Sequence, residues 1–283
     1  MAEAATMQSK SDAIWAGWRR NIPQALPAIL TAVVVLLLWE VAVRVFDIRA
    51  FILPKPSDIL IEFLNELRLF VTPGSQSILF EAAKTTFWSA FGGFVIGCGA
   101  GILVALATAR WTVLSEATMP FAIAANSVPI IAFAPIMNNW FGILNPASKM
   151  AIVAIIVFFP TMINTVRGLT LVDKRQLDLM TSYAAGGFKI LRALRIPNAL
   201  PFIFSALRVA SSLSVIGAVV AEFFGAPRTT LGVYITQQAA SVNFTKAWAA
   251  ILISSIIGIA FYNVVLLAER WVMPWQTKRR QAN

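Results

Sequence analysis

The residues of this chain that could handle a solute are few, and most are uncharged. Met119 to Gly142, MPFAIAANSVPIIAFAPIMNNWFG, sets Asn126, Ser127, Asn138 and Asn139 among Pro120, Pro129 and Pro135. A second stretch sets Phe158 and Phe159 beside Pro160 and Asn164, and Glu222 closes an apolar run in VVAEFFGAP. Proline withholds an N–H from the helix ladder and frees a carbonyl. In a bilayer such a carbonyl is tolerable only when it is buried in protein or faces water. Broken helices with amides nearby are what a solute path uses. Singly, each Asn has a plainer role, a hydrogen bond between helices worth about 0.6 to 2 kcal/mol. As a cluster they read as the lining of a path.

Other chemistries lack their residues. The chain has no histidine and one cysteine, Cys98, inside an apolar run, which leaves no disulfide framework and no cysteine metal site. A membrane enzyme would need a nucleophile, a metal cluster or an acid-base pair at depth. No G-x4-G-K-[ST] occurs, so hydrolysis of ATP would need a separate chain. An ion-coupled secondary transporter is the alternative reading. It would show an internal repeat and acids or histidines within the membrane, and neither is visible here.

The elements that must position these residues are membrane helices. With 58% hydrophobic and 13% charged residues and a mean hydropathy of +0.75 over 283 residues, the chain belongs in a bilayer. Six apolar spans are predicted, Leu26 to Phe46, Ala82 to Ala109, Ala117 to Phe141, Ala147 to Leu169, Ala199 to Glu222 and Ala247 to Trp271, each near the roughly 20 residues a bilayer core requires. Residues 1–25 form an N-terminal tail without the apolar core of a signal peptide, its Trp15 and Trp18 at the interface. Residues 26–272 form the membrane domain, and residues 273–283 a basic C-terminal tail. The net charge of +10 does not suggest nucleic acid, because the basic residues flank apolar spans instead of lining an aromatic-laced face. The larger share of Lys and Arg falls on one side, including Arg19, Arg20, Lys174, Arg175, Lys189, Arg192, Arg195, Lys278, Arg279 and Arg280. That bias places both termini in the cytoplasm.

The second span carries Gly93, Gly97 and Gly101 at every fourth residue, with Gly92 just before them and Gly99 among them. This spacing predicts a face on which another helix backbone approaches closely.

Asp173 to Pro201, DKRQLDLMTSYAAGGFKILRALRIPNALP, is a polar stretch between the fourth and fifth spans, and its middle reads as a short amphipathic helix on the cytoplasmic side. It resembles the E-A-A-x3-G-x9-I-x-L-P loop of permease subunits of ATP-binding cassette importers. Asp178, Leu179 and Met180 take the E-A-A places, Ala184 takes the Gly, and Leu194, Arg195, Ile196 and Pro197 close the signature. The resemblance extends almost end to end to the nitrate/sulfonate/taurine-type branch. Leu53 to Leu60 resembles its L-P-x-P-x-D entry to an outer segment, and Pro129, Pro135, Trp140, Phe141 and Gly142 resemble its P-x5-P and W-F-G. NSVPIIAFAPIMNNWFG with FFPTMINTVRGL resembles the permeases linked to pyrimidine-precursor or riboflavin uptake.

What the resemblance implies is an all-α integral membrane protein with the type I importer permease fold, in a bacterial inner membrane. Residues 173–198 would couple to an ATPase through Asp178, Leu179, Met180, Ala184, Ala185, Leu194, Ile196 and Pro197. Two such chains, expected as a homodimer, would enclose the pathway over two ATPase subunits. ATP and Mg²⁺ would be held by those partners, with no cofactor on this chain. An external binding protein would deliver the solute, a small nitrogen heterocycle or a sulfonate- or nitrate-type compound. Phe158 and Phe159 could stack a flat ring while Asn126, Asn138 and Asn164 meet its edge.

The remaining charges in spans need partners, because a charge at a helix centre costs about 2.5 to 3.5 kcal/mol. Glu40 and Arg44 are four apart and can pair on one face. Arg208 either snorkels or meets an acid on another helix. Glu222 is either an interfacial carboxylate or a gate or contact for the external binding protein. Between the first two spans, Ser57 and Asp58 can cap a helix whose IEFLNELRLF is amphipathic. After Glu222, the segment through Trp248 is either a surface for the binding protein or an ordinary turn.

Overall fold

A computed structural model describes residues 26–72, 77–108 and 120–274. The tail with Trp15 and Trp18, the start of the third span at Ala117, and most of the basic C-terminal tail lie outside the described residues.

Among those residues the elements are helical throughout. They run α1 (Leu26–Val45), α2 (Pro56–Val71), α3 (Ile78–Thr108), α4 (Pro120–Asn126), α5 (Ala134–Phe141), α6 (Pro146–Thr170), α7 (Lys174–Ser182), α8 (Gly187–Ile190), α9 (Ile196–Phe223), α10 (Leu231–Ala240) and α11 (Phe244–Val272). A 3₁₀ turn at Ile130–Phe133 precedes α5, and a π-helical turn at Leu191–Arg195 joins α8 to α9. Five stretches are long and apolar enough to cross a membrane: α1, α3, α6, α11 and the continuous run Gly187–Phe223. The predicted third span is instead a bent pair, Pro120–Asn126 and Ile130–Phe141 meeting at 72°. Counted as one span, the pair brings the total to six. Pro129 lies at the break, where it cannot donate to a continuing ladder.

The core is built by α3 on α6 and α6 on α9. A Cβ added at Gly93 would sit 2.5 Å from Val153 Cβ, one at Gly97 would run into the Ala154 carbonyl, and one at Gly101 would lie 2.8 Å from the Phe158 carbonyl. The four-residue glycine repeat is thus the seat of α6, as its spacing predicts. Gly99, off that stripe, has open space around it. Gly168 does the same for the α6–α9 seam, against Ala199 and Phe202. At the other end, Leu79, Val219, Leu231, Tyr234 and Ile253 form a buried cluster that ties α3, α9, α10 and α11 together.

Partners for the charges in spans differ in part from the sequence expectations. Glu40 and Arg44 pair at 2.6 Å, as their spacing predicts. Glu40 also accepts from the amide and hydroxyl of Ser57, at 3.1 and 2.9 Å. The N-cap residue of α2 is Lys55, without a side-chain bond, so Ser57 and Asp58 lie inside the helix instead of capping it. Pro56 has no N–H to offer, and the first free amide goes to a carboxylate from α1. Arg208 meets an acid on another helix, Glu269 of α11, at 2.6 Å.

Candidate functional site

The polar loop at 173–198 folds as a helix, a tight reversal and a second helix. Asp173 caps α7 by accepting from the Arg175 amide at 2.9 Å. The helix ends where Ala185 donates to the Met180 carbonyl at 3.0 Å and Ala184 to the Thr181 carbonyl at 2.9 Å. This is the pattern of bonds in which the residue after the C-cap turns left-handed, a place usually held by glycine. Ala184 occupies it with φ 51°. The local backbone therefore explains the glycine at the matching position of the motif. Leu179, Tyr183 and Phe188 project from this reversal at 57%, 79% and 74% exposure. Asp178 and Ala184 are exposed, while Met180 and Ala185 are half-buried.

The return limb is anchored. Leu194 lies in the π-helical turn, half-buried, and Ile196 and Pro197 open α9. Asn198 then donates to the carbonyls of Gly168 and Leu171, both at 2.8 Å. It thereby satisfies two acceptors that the end of α6 would leave orphaned. Asn198 was not singled out in the sequence. The signal was present, an amide immediately after Pro197 at the mouth of an apolar span.

The candidate pathway residues fall into two groups. Asn126, Ser127 and Pro129 are exposed at the α4–α5 bend, where the Ser127 hydroxyl bonds the Ile123 carbonyl at 3.2 Å. Pro135 is exposed in the first turn of α5. Ala122 of α4 packs with Met162 and Ile163 in an apolar cluster that Phe158 and Phe159 flank. The two rings meet edge to face with centroids 4.9 Å apart, and each is half-buried. Asn164 is turned to its own helix, donating to the Pro160 carbonyl at 2.8 Å. The bend and the aromatic pair are therefore neighbours through one cluster.

Asn138 and Glu222 belong to a second group, a polar knot where α3, α5, α6, α9 and α10 meet. Glu222 is 1% exposed; its Oε2 accepts from Thr86 Oγ1 at 3.0 Å and from the Gly232 amide at 2.8 Å. Thr86 Oγ1 accepts in turn from the Leu231 amide at 2.9 Å, so α10 begins on groups supplied by α3 and α9. Asn138 donates to the Phe224 carbonyl at 3.1 Å and accepts from Lys149 Nζ at 3.0 Å. Lys149 is 2% exposed and also donates to Ile143 O at 2.5 Å and Ser148 Oγ at 2.9 Å. Lys149 stands in the first turn of α6, and its partners lie across a turn that no spacing reveals. Among the described residues no His/Cys/Asp/Glu group could hold a metal.

A family model described as binding-protein-dependent transport system inner membrane component matches residues 97–274. The chain is 28% identical over 256 residues to the formylaminopyrimidine transport permease protein ThiX of Halalkalibacterium halodurans, across 90% of this chain and 98% of that protein. It is 29% identical over 252 residues to the riboflavin transport system permease protein RibX of Chloroflexus aurantiacus, across 89% and 91%. It is 27% identical over 261 residues to the putative aliphatic sulfonates transport permease protein SsuC of Bacillus subtilis, across 92% and 88%. The chain belongs to the binding-protein-dependent inner membrane components, the multi-pass permease subunits of ATP-binding cassette importers.

Proposed function

We propose that two copies of this permease enclose a pathway for a small flat nitrogen heterocycle, above two ATPase subunits docked on the 173–198 loops. ATP and Mg²⁺ belong to those partners, and an external binding protein supplies the solute. Both termini and the loop then lie in the cytoplasm, following the Lys and Arg bias. The observation that carries the coupling role is the exposed apolar ridge of Leu179, Tyr183 and Phe188 on a rigidly closed reversal. Exposed aromatic and aliphatic side chains on a short polar-flanked helix are the chemistry of a protein contact. Asp178, Met180, Ala184 and Ala185 shape that ridge, and Leu194, Ile196 and Pro197 fix its return to the membrane.

For the solute, support comes from Phe158 and Phe159 beside the bend with Asn126 and Ser127, and from the two relatives named for formylaminopyrimidine and riboflavin transport. Alternating access follows from loops drawn together when the ATPases close.

The test is co-purification. Leu179→Asp and Ala184→Arg should leave membrane insertion at the native level and strip the ATPase from the complex. ATPase retention together with unchanged uptake would end the coupling reading. Competition for uptake by an aminopyrimidine and by an alkyl sulfonate separates the solute classes. Inhibition by the sulfonate alone would overturn the heterocycle.

A further inference from the structure

The polar knot holds two buried charges that never touch. Both side chains are sealed from solvent, and no direct ion pair joins Lys149 to Glu222. Each charge fastens a different seam. Lys149 binds the turn after α5 through Ile143 and the body of α5 through Asn138, whose amide continues to Phe224 at the end of α9. Gly225 follows with φ 118°, and a Cβ there would lie 2.5 Å from Ile143 Cδ1, so this turn rests directly on the α9 terminus. Glu222 fastens the start of α10 to α3 through Gly232 and Thr86.

The knot is also incompletely satisfied. Glu222 Oε1 is buried with no hydrogen-bond partner among the described residues. A buried carboxylate with one oxygen unpaired, held opposite a buried ammonium without contact, forgoes much of the Coulomb energy that would repay its desolvation. A merely structural strut would be better built from apolar side chains. A joint that must part and re-form gains from being only part-satisfied, because its open state can find water for the same groups.

On the reading that the broken third span lines the pathway, we propose that Lys149 and Glu222 are positioning residues of a closure at this end of the bundle. Lys149 holds the α5 limb of the span to the end of α9 through Asn138, Glu222 holds that end of α9 to α3 and α10, and the seam between α5 and α9 parts when the two groups move apart. The seam is apolar beneath the knot, where Ala134 and Met137 of α5 pack on Ala221 and Ile152. Ala221 is fully buried there and reports whether the seam is shut.

The experiment labels single cysteines with a hydrophilic maleimide in permeabilised membranes, so that both faces are reached, in a Cys98→Ser background. Ala221→Cys reads the seam. Ala105→Cys, equally buried in the separate cluster of Met162 and Ile163, reads general unfolding. The paired variant Lys149→Met with Glu222→Gln removes both charges at nearly constant shape, so that neither is left stranded as in a single substitution. Labelling at Ala221→Cys should rise about tenfold in the paired variant, with Ala105→Cys unchanged, and Lys149→Arg should stay close to native. Unchanged labelling at Ala221→Cys would overturn the proposal, as would an equal rise at Ala105→Cys. The readout needs no ATPase, so it fails independently of the coupling loop, whose own failure appears only in co-purification.

Discussion

The amide of Ala185 bonds the carbonyl of Met180 at 3.0 Å, and closing that ring forces Ala184 between them into the left-handed region at φ 51°. A residue with a Cβ pays roughly 1 to 2 kcal/mol for that conformation, and glycine does not. The reversal is thus an inherently strained element at the tip of the 173–198 loop.

Ala184→Gly should relieve this strain. Part of the gain is lost to the freer unfolded chain, which leaves about 1 kcal/mol in favour of the closed turn. Hydrogen exchange at residues 180–185 checks it. Slower exchange in Ala184→Gly and faster exchange in Ala184→Val are expected, and unchanged exchange in both would remove the strain argument.

The glycine stripe of α3 makes a sharper contrast. Gly97→Ala drives a methyl into the backbone of Ala154, which cannot rotate away, so a loss of about 1 to 3 kcal/mol is expected from overpacking. Gly99→Ala meets nothing within 4 Å and should gain roughly 0.5 to 1 kcal/mol from helix propensity alone. Thermal unfolding of the detergent-solubilised permease orders the two variants on either side of native. The same sign for both would show that the stripe does not set the α3–α6 distance.

Arg208 and Glu269 form a bond between α9 and α11 with side chains 19% and 15% exposed. Removing one partner strands the other in a poorly solvated place, whereas removing both is milder. Arg208→Met and Glu269→Gln should each lower folded yield more than the double variant does. A double variant whose loss equals the sum of the singles would mean that the two groups are energetically independent.

Several parts of this protein are periodic or local, and those were legible along the chain. The helical class, the positions of the spans, the α3 packing stripe and the place of the polar loop at 173–198 all follow from runs of apolar residues and from short spacings. The Glu40–Arg44 pair belongs with them, since four residues bring both side chains to one helix face. The 72° break was partly legible too, because Pro129 announces a lost hydrogen bond but not the angle the chain takes around it.

What tertiary structure decided is where charges and caps find their partners. Thr86 and Glu222 are 136 residues apart, and Arg208 and Glu269 are 61 apart. Their bonds exist only because α3, α9, α10 and α11 converge. Lys149 reads as one more flanking charge until the turn after α5 folds back over it. The sequence alone determined which stretches enter the membrane, since burial in lipid depends on summed apolar area along each helix. Only the packed bundle decided which polar groups are sealed between those helices, since pairing depends on distances that the chain order does not contain.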